Sequence, residues 1–352
     1  MKGWMGKFRV LFILGSTALV LSGCGLENLT ALDPKGYGAQ VSLDLIILSI
    51  VIMVFVFLVV MVIYTFVFFR FRQKKGQEDV IPKQVEGNKV LEVIWTVIPI
   101  ILLLILAVPT VTATFDLAEG QPEGSDLLNV NVTGNQYWWN FSYDDLDVQT
   151  SQDLYIPTGE RVYIDMKSSD VIHSFWLPSI SGKMDVNPEN ENTMFIEAQE
   201  EGVYWGKCAE LCGPSHSLMD FRVVAVSPDE FDQWVTDMKN VDPEAEPETA
   251  SAQEGKQLFS DKGCISCHAL GSSPTAIGPN LTSFGSRTKF AGILDPTKEN
   301  LVDWIMDPES IKPGNKMTGN YKEVTEEEAS KIADYLLQLE PSEITPEDAE
   351  SE

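Results

Sequence analysis

Two long apolar runs restrict this chain more than any motif does. Leu45 to Phe69 is twenty-five residues without a formal charge, and Val93 to Phe115 is twenty-three. About twenty helical residues cross the hydrocarbon core of a bilayer, and a helix pairs its own backbone groups where lipid offers no partner. Both runs therefore predict membrane-spanning helices. The segment between them carries Arg70, Arg72, Lys74, Lys75, Lys83 and Lys89 against Glu78, Asp79 and Glu86. A short, positively biased loop stays cytoplasmic. The hairpin sends both ends outward, so everything after residue 116 is expected to work outside the cytoplasm.

The N-terminus reads as an export signal: Lys2, Lys7 and Arg9, an apolar run from Val10 to Leu21, then small residues before Cys24. Leu21-Ser22-Gly23-Cys24 resembles the lipobox of bacterial lipoproteins, which makes Cys24 the candidate lipidation site; an uncleaved anchor with an incidental cysteine is the alternative. The net charge is −27, and losing the three cations of the signal takes it to −30. Phosphate would be repelled by such a surface, so nucleic acid is not an expected partner. A soluble basic partner suits it, although solubility alone explains the charge equally well.

Beyond Asp116 the pattern shortens. The stretches 127–132, 161–166, 193–198 and 221–226 alternate with period two between Gly, Pro, Asn and Asp turns, which predicts a β-sandwich or Greek-key barrel. A capped helix is expected over 227–239. "NVDPEAEPETA" (240–250) is acidic, proline-bearing and without apolar periodicity, as an extended linker would be. Helical spacing returns after Ser251, with Leu301, Trp304 and Ile305 on one face and Ile332, Tyr335 and Leu336 on another. The tail from Glu340 is expected to be disordered.

Chemistry concentrates in two places. "CAELCGPSHSLM" spaces Cys208, Cys212, His216 and Met219 within twelve positions, in a chain with five cysteines and three histidines. Thiolate, thioether and imidazole together favour copper or zinc over magnesium or calcium. A disulfide between Cys208 and Cys212 is the simple alternative outside the cytoplasm, yet it would use neither His216 nor Met219. Structural zinc is another alternative, though its usual four N/S ligands include no methionine. A second histidine must be His173, in "DVIHSFWLP", or His268. The second place is "CISCH", where Cys264, Cys267 and His268 form the Cys-x2-Cys-His pattern of covalent c-type haem. A thioredoxin-like pair is the alternative, but no βαβ pattern surrounds it. A later residue must supply the sixth iron ligand, and methionine would raise the potential. Of the candidates Met306 and Met317, loop character in "IKPGNKMTGN" favours Met317.

"DVIHSFWLPSISGKMD" with "YWGKCAELCGPSHSLM" resembles subunit II of the haem–copper cytochrome c oxidases, in the bacterial form with a fused C-terminal cytochrome c domain (caa-type). The resemblance covers roughly residues 40 to 340 and implies a multi-domain membrane protein: a two-helix transmembrane hairpin, an all-β Greek-key cupredoxin domain and an all-α class-I cytochrome c domain. It implies dinuclear copper A, bridged by Cys208 and Cys212, terminated by His173 and His216, with Met219 a weak sulfur ligand and the Glu210 carbonyl a further one. It also implies a magnesium ion at the Glu210 carboxylate facing subunit I, and haem c held by Cys264 and Cys267 with His268 and Met317 on the iron. "GPNL" (278–281) is similar to the segment that supports the axial histidine in class-I cytochromes c.

The same resemblance places Glu92 near a proton-uptake path; a helix-start carboxylate favoured by the helix dipole is the alternative. It makes Tyr137, Trp138 and Trp139 of "GNQYWWNF" the residues where electrons would arrive, although the family commonly has tryptophan where Tyr137 stands; barrel packing of the aromatic run is the alternative. The implied function is electron transfer from cytochrome c through haem c and copper A to subunit I, which reduces oxygen and pumps protons. A copper A-containing nitric oxide reductase subunit and a membrane-anchored copper chaperone are the alternatives. Expected partners are subunit I and other oxidase subunits, soluble or membrane-bound cytochrome c or an upstream quinol–cytochrome c reductase, and membrane lipid. Location would be the bacterial cell membrane, anchored at Cys24, with both soluble domains on the outer face. The expected partition is a signal at 1–23, an external segment 24–41, helices at 42–69 and 90–115 around a cytoplasmic loop 70–89, a copper domain 116–239, a linker 240–250, a cytochrome domain 251–340 and an acidic tail 341–352.

Overall fold

The computed structural model describes residues 9, 11–17, 27–73, 76, 84, 86–122, 124, 127–271 and 277–344. Cys24, several cations of the loop between the two apolar runs and most of the acidic tail lie outside them.

Both apolar runs are helical, α1 (Tyr37–Arg70) and α2 (Lys89–Leu117). The most apolar window of each is 0% buried, a surface that only lipid or another apolar partner can cover. The side chain of Asn88 caps α2 by accepting from the Val90 and Leu91 amides, and the helix runs on through Pro99 and Pro109. Helix α1 starts at Tyr37, earlier than the expected residue 42. The cause is a strap before it: the Lys35 amide donates to Ser179 O at 2.7 Å and its carbonyl accepts from Gln199 at 2.8 Å. A Cβ on Gly36 would lie 2.4 Å from Ile180 O, so only glycine fits this approach. The Tyr37 hydroxyl then donates to Asp116 Oδ2 at 2.6 Å, joining the outward ends of the two helices. Arg161 of the β-domain lies over the Phe195 ring and pairs with Glu119. The β-domain is therefore clamped to the hairpin at several points.

That domain has ten strands: β1 (Asn129–Asn135), β2 (Trp138–Tyr143), β3 (Val148–Ser151), β4 (Asp153–Pro157), β5 (Val162–Ser168), β6 (His173–Trp176), β7 (Lys183–Val186), β8 (Asn192–Ile196), β9 (Gly202–Cys208) and β10 (Phe221–Val226). They form two five-stranded sheets, β3-β2-β1-β5-β8 and β4-β10-β9-β6-β7. Pairs β1–β5 and β4–β10 are parallel and the others antiparallel. Val130, Phe141, Leu154, Ile164, Phe175 and Val223 meet between the sheets with essentially no exposure. Helix α3 (Pro228–Lys239) opens with a capping box from Ser227 and Glu230 and seats Trp234 against Tyr155, ring centroids 4.5 Å apart.

The last domain is helical: α4 (Ala250–Asp261), α5 (Lys298–Met306), α6 (Pro308–Ile311) and α7 (Glu326–Leu336). Helices α4 and α7 cross at Gly255, where a Cβ would sit 2.0 Å from Lys331 O. Leu301, Ile305, Ile332, Tyr335 and Leu336 are buried as their spacing predicts, while Trp304 is partly buried.

The two domains pack on one another, and the acidic 240–250 segment spans between them. Asp153, 2% exposed, accepts from the Thr288 amide at 3.1 Å, the Asn280 amide donates to Ser151 Oγ at 3.2 Å, and Ser215 Oγ donates to Pro313 O at 2.7 Å. This explains a departure from alternation. Arg222 should point to solvent in a period-two strand, yet it is 2% exposed, stacked on Trp205 and level with Asp153 in the ladder that the helical domain covers. The tail also departs from the expected disorder as far as it is described. Ile344 packs on the β-domain core, and Ser342 Oγ donates to Asp237 Oδ2 at 2.8 Å.

Candidate functional site

Two loops of the β-domain bring the first constellation together. His173 opens β6 and is completely buried; Cys208 closes β9, and Cys212, His216 and Met219 follow in the turn-rich loop before β10. Cys208 Sγ lies 3.9 Å from His173 Nδ1, 4.0 Å from Cys212 Sγ and 3.3 Å from Glu210 O. Cys212 Sγ lies 3.6 Å from His216 Nδ1 and 3.3 Å from Met219 Sδ. The ligand atoms of His173, Cys208 and Cys212 are all within 4.8 Å of one another. Both cysteines are free thiols at twice the length of a disulfide bond. The set has a two-centred form: each sulfur faces one imidazole, a thioether sits on one side and a backbone carbonyl on the other. Two soft metal ions sharing both thiolates fit this donor chemistry.

The surroundings hold these groups in place. The hydrogen bond between the two thiols favours ionisation of Cys208, pushing its pKa down and correspondingly pushing Cys212 up. Burial works against charge on His173, but its bonds to Asp170 and Cys208 outweigh it and raise its pKa. Asp170 Oδ1 lies 2.9 Å from His173 Nε2, which leaves Nδ1 directed at Cys208. Burial opposes charge on Asp170 too, yet its bonds to His173 and Lys316 hold the carboxyl well below the usual range. Trp139, 1% exposed, donates from Nε1 to Met219 O at 3.0 Å and sets its ring against His173, Phe175 and Phe221. The Gln136 side chain donates to Cys212 O at 2.6 Å. Gly213 has φ +137°, and a Cβ there would meet the Tyr137 hydroxyl at 2.4 Å. Asp170, Gln136 and this use of Trp139 were missed in the sequence, although Asp170 and His173 stand at the i, i+3 spacing of "DVIH".

A cavity of about 1250 Å³, counted to its open mouth, forms the second constellation. Cys264, Cys267, His268 and Met317 line it, with apolar walls from Phe259, Leu281, Phe284 and Ile332. Four groups able to hold a c-type haem thus face one largely apolar space. His268 Nδ1 lies 2.9 Å from Pro279 O and donates to it, so the Nε2 lone pair is left free to bind a metal. Burial lowers the His268 pKa, which keeps the imidazole neutral, and pushes the Cys264 thiol up to about 11. Met306 is 44% exposed and outside this lining. Gln136, Tyr137, Trp138, Ser151 and Gln152 of the β-domain close part of the same cavity. Tyr137 thus stands between the haem cavity and the Cys212–Gly213 turn, whereas Trp139 belongs to the core of the β-domain.

Two expected sites are not joined to these. Glu92 is in the first turn of α2, at the far end of a helix roughly 40 Å long from the outer domains. The Glu210 carboxylate is exposed, and among the described residues it joins no metal-holding group with other acidic or imidazole side chains. The magnesium expected there has no support in this chain.

Comparison with known proteins agrees with this geometry. Residues 37–112 match the family described as cytochrome C oxidase subunit II, transmembrane domain, residues 146–226 its periplasmic domain, and residues 252–340 cytochrome c. Cytochrome c oxidase subunit 2 of Bacillus sp. (strain PS3) is 50% identical over 349 residues, covering 95% of this chain and 98% of that one. Its counterpart in Bacillus subtilis (strain 168) is 47% identical, covering 94% and 98%. Quinol oxidase subunit 2 of Bacillus spizizenii is 34% identical over a smaller share, 67% of this chain and 74% of that one.

Proposed function

The chain belongs to the family of cytochrome c oxidase subunit II, with a cytochrome c domain fused at its C-terminus, and we propose that it is the electron-input arm of a respiratory oxidase. In this reading it takes electrons from a cytochrome c or an upstream quinol–cytochrome c reductase into its own haem c. It relays them to subunit I, where oxygen is reduced and protons are pumped. Cys208, Cys212, His173, His216, Met219 and the Glu210 carbonyl would hold dinuclear copper A. Cys264 and Cys267 would bind haem c covalently, with His268 and Met317 on its iron. Both groups, when bound, supply one-electron redox chemistry and leave no protein-side position open for oxygen.

The chain's own residues do the rest. Asp170 and the Ser174–Ala209 backbone pairing (3.0 Å) fix the two copper-binding loops, and a site that does not move suits rapid electron exchange. Tyr137 and Trp138 wall the haem cavity, while Gln136 touches the Cys212 carbonyl, so the haem domain sits against the copper loop rather than at the end of a slack tether. Lipidation at Cys24 after signal cleavage, and exposure of both domains on the outer face of a bacterial membrane, complete the reading. The single observation that carries it is the convergence of two thiols, two imidazole Nδ1 atoms and a thioether within 4.0 Å steps.

The test is a single-turnover experiment on the purified membrane complex. Haem c is reduced by a light-triggered donor, and the absorbances of haem c, copper and the haem in subunit I are followed in time. The reading expects oxidation of haem c with matching reduction of copper and then of the inner haem, and oxygen uptake in steady state. Nitric oxide consumption without oxygen uptake would favour the reductase alternative, and absence of haem from the chain would favour the chaperone.

A further inference from the structure

The Asp170 carboxylate is shared between two domains in a way that the ligand set alone does not require. Its Oδ1 takes His173 Nε2 at 2.9 Å and the Val171 amide at 2.8 Å. Its Oδ2 takes the Gln136 amide at 2.8 Å and, from the haem domain, Lys316 Nζ at 2.8 Å. A carboxylate accepts about four hydrogen bonds, and all four places are filled. The residue after Lys316 is Met317, which lines the haem cavity, and the Gln136 side chain reaches Cys212 O. One carboxylate therefore touches a copper-binding histidine and the haem-binding loop at the same time.

We propose that Asp170 is a positioning residue that couples docking of the haem loop to the electron affinity of the copper site, with His173 on one oxygen and Lys316 on the other. This rests on the function proposed above. Asp170 draws electron density onto His173 through the Nε2–H bond and so favours the oxidised metal. Lys316 withdraws part of that charge when the loop is docked, which favours arrival of an electron. Coupling between two equilibria is reciprocal, so a reduced copper site holds the 311–320 loop more tightly by the same factor. As a contribution to stability alone the pair is small, since the Lys316 side chain is 50% exposed and solvent screens such a bridge. Its consequence lies in the coupling. By that reciprocity the change cannot exceed what the exposed Asp170–Lys316 pair is itself worth, about threefold in an equilibrium constant.

The experiment compares Lys316→Met, Lys316→Arg, Asp170→Asn and the double variant in the purified oxidase complex. It reads the copper and haem c midpoint potentials, and hydrogen exchange of the 311–320 amides in the reduced and oxidised states. Lys316→Met is expected to lower the copper potential by ~28 mV, the equivalent of threefold at 59 mV per decade. It should also abolish the difference in loop protection between redox states. Arginine should restore both, and Asp170→Asn should make the lysine substitution silent in the double variant. An unchanged copper potential in Lys316→Met, or effects of the two substitutions that simply add, overturns the coupling. If the unaltered protein lacks the copper or haem spectrum, the function beneath it fails as well, so the two failures are distinguishable.

Discussion

Substituting Trp139 by phenylalanine isolates what the β-domain core contributes to the copper loop. The indole Nε1 is the donor to Met219 O at 3.0 Å in a site where both residues are buried. Phenylalanine keeps an aromatic ring beside Phe175 and Phe221 but removes that donor. A buried carbonyl left without its partner costs about 1–3 kcal/mol. The missing part of the indole leaves a void against His173, Phe175 and Phe221, whose incomplete filling costs about 1–2 kcal/mol more. The sum, roughly 2–5 kcal/mol, is large beside a domain stability of about 5–15 kcal/mol. Calorimetry of the solubilised complex should show the β-domain transition lowered by roughly 8–20 °C. The haem domain, followed by its own absorbance, should keep its transition, because Trp139 is not among the residues that line its cavity. A shift below about 0.5 kcal/mol, or one confined to the haem domain, would show that Trp139 does not hold the Met219 segment.

The domain interface makes further predictions. Burial pushes Asp153 up to about 6, with Arg287 and Arg222 opposing incompletely. Between its ordinary value of 3.8 and about 6, the folded chain keeps a proton that the unfolded chain has lost, so stability rises as pH falls through that window and is level above it. Protection of the interface amides, taken relative to their intrinsic exchange rate at each pH, should rise from pH 7 to pH 5 in the unaltered protein, and Asp153→Asn should flatten that slope; an unchanged slope contradicts the assignment. Gly255→Ala places a methyl group against Lys331 O and should force α4 and α7 apart, at about 1–3 kcal/mol of haem-domain stability, with the copper spectrum intact. His268→Ala should leave haem attached through Cys264 and Cys267, visible on a denaturing gel, while its low-spin spectrum is lost.

How much of this was legible in the sequence depends on what each strand faces. Strand β1 alternates because one face lies in the core, while β5 and β8 bury consecutive residues and alternate only in part. Strand β4 is buried at all five positions, as is β10 at all six, because the helical domain covers the sheet where Asp153 and Arg222 meet. Period-two reading therefore finds β10 by its valines but assigns Arg222 to solvent. Strand β2 begins inside the aromatic run, where ring size obscures the pattern, and β9 carries Gly202 and Gly206, the second to admit the Phe221 ring. The residues proposed to bind metal stood out in the sequence because soft ligands are scarce in this chain. Their supports, Asp170 and Gln136, are common polar residues, and apart from the i, i+3 spacing of Asp170 and His173 nothing local distinguishes them from solvated ones. The strap at Lys35 and Gly36 depends on partners more than a hundred residues away, so the start of α1 could not be read from hydropathy.

The central claim is that sulfur and imidazole groups on two loops enclose a pair of copper ions. Electron paramagnetic resonance of the purified complex, with metal analysis of the same sample, tests it most directly. The account predicts two coppers for this subunit and a signal in which one unpaired electron is shared equally between two copper nuclei. A single metal ion, zinc in its place, or a cystine formed by Cys208 and Cys212 would contradict it.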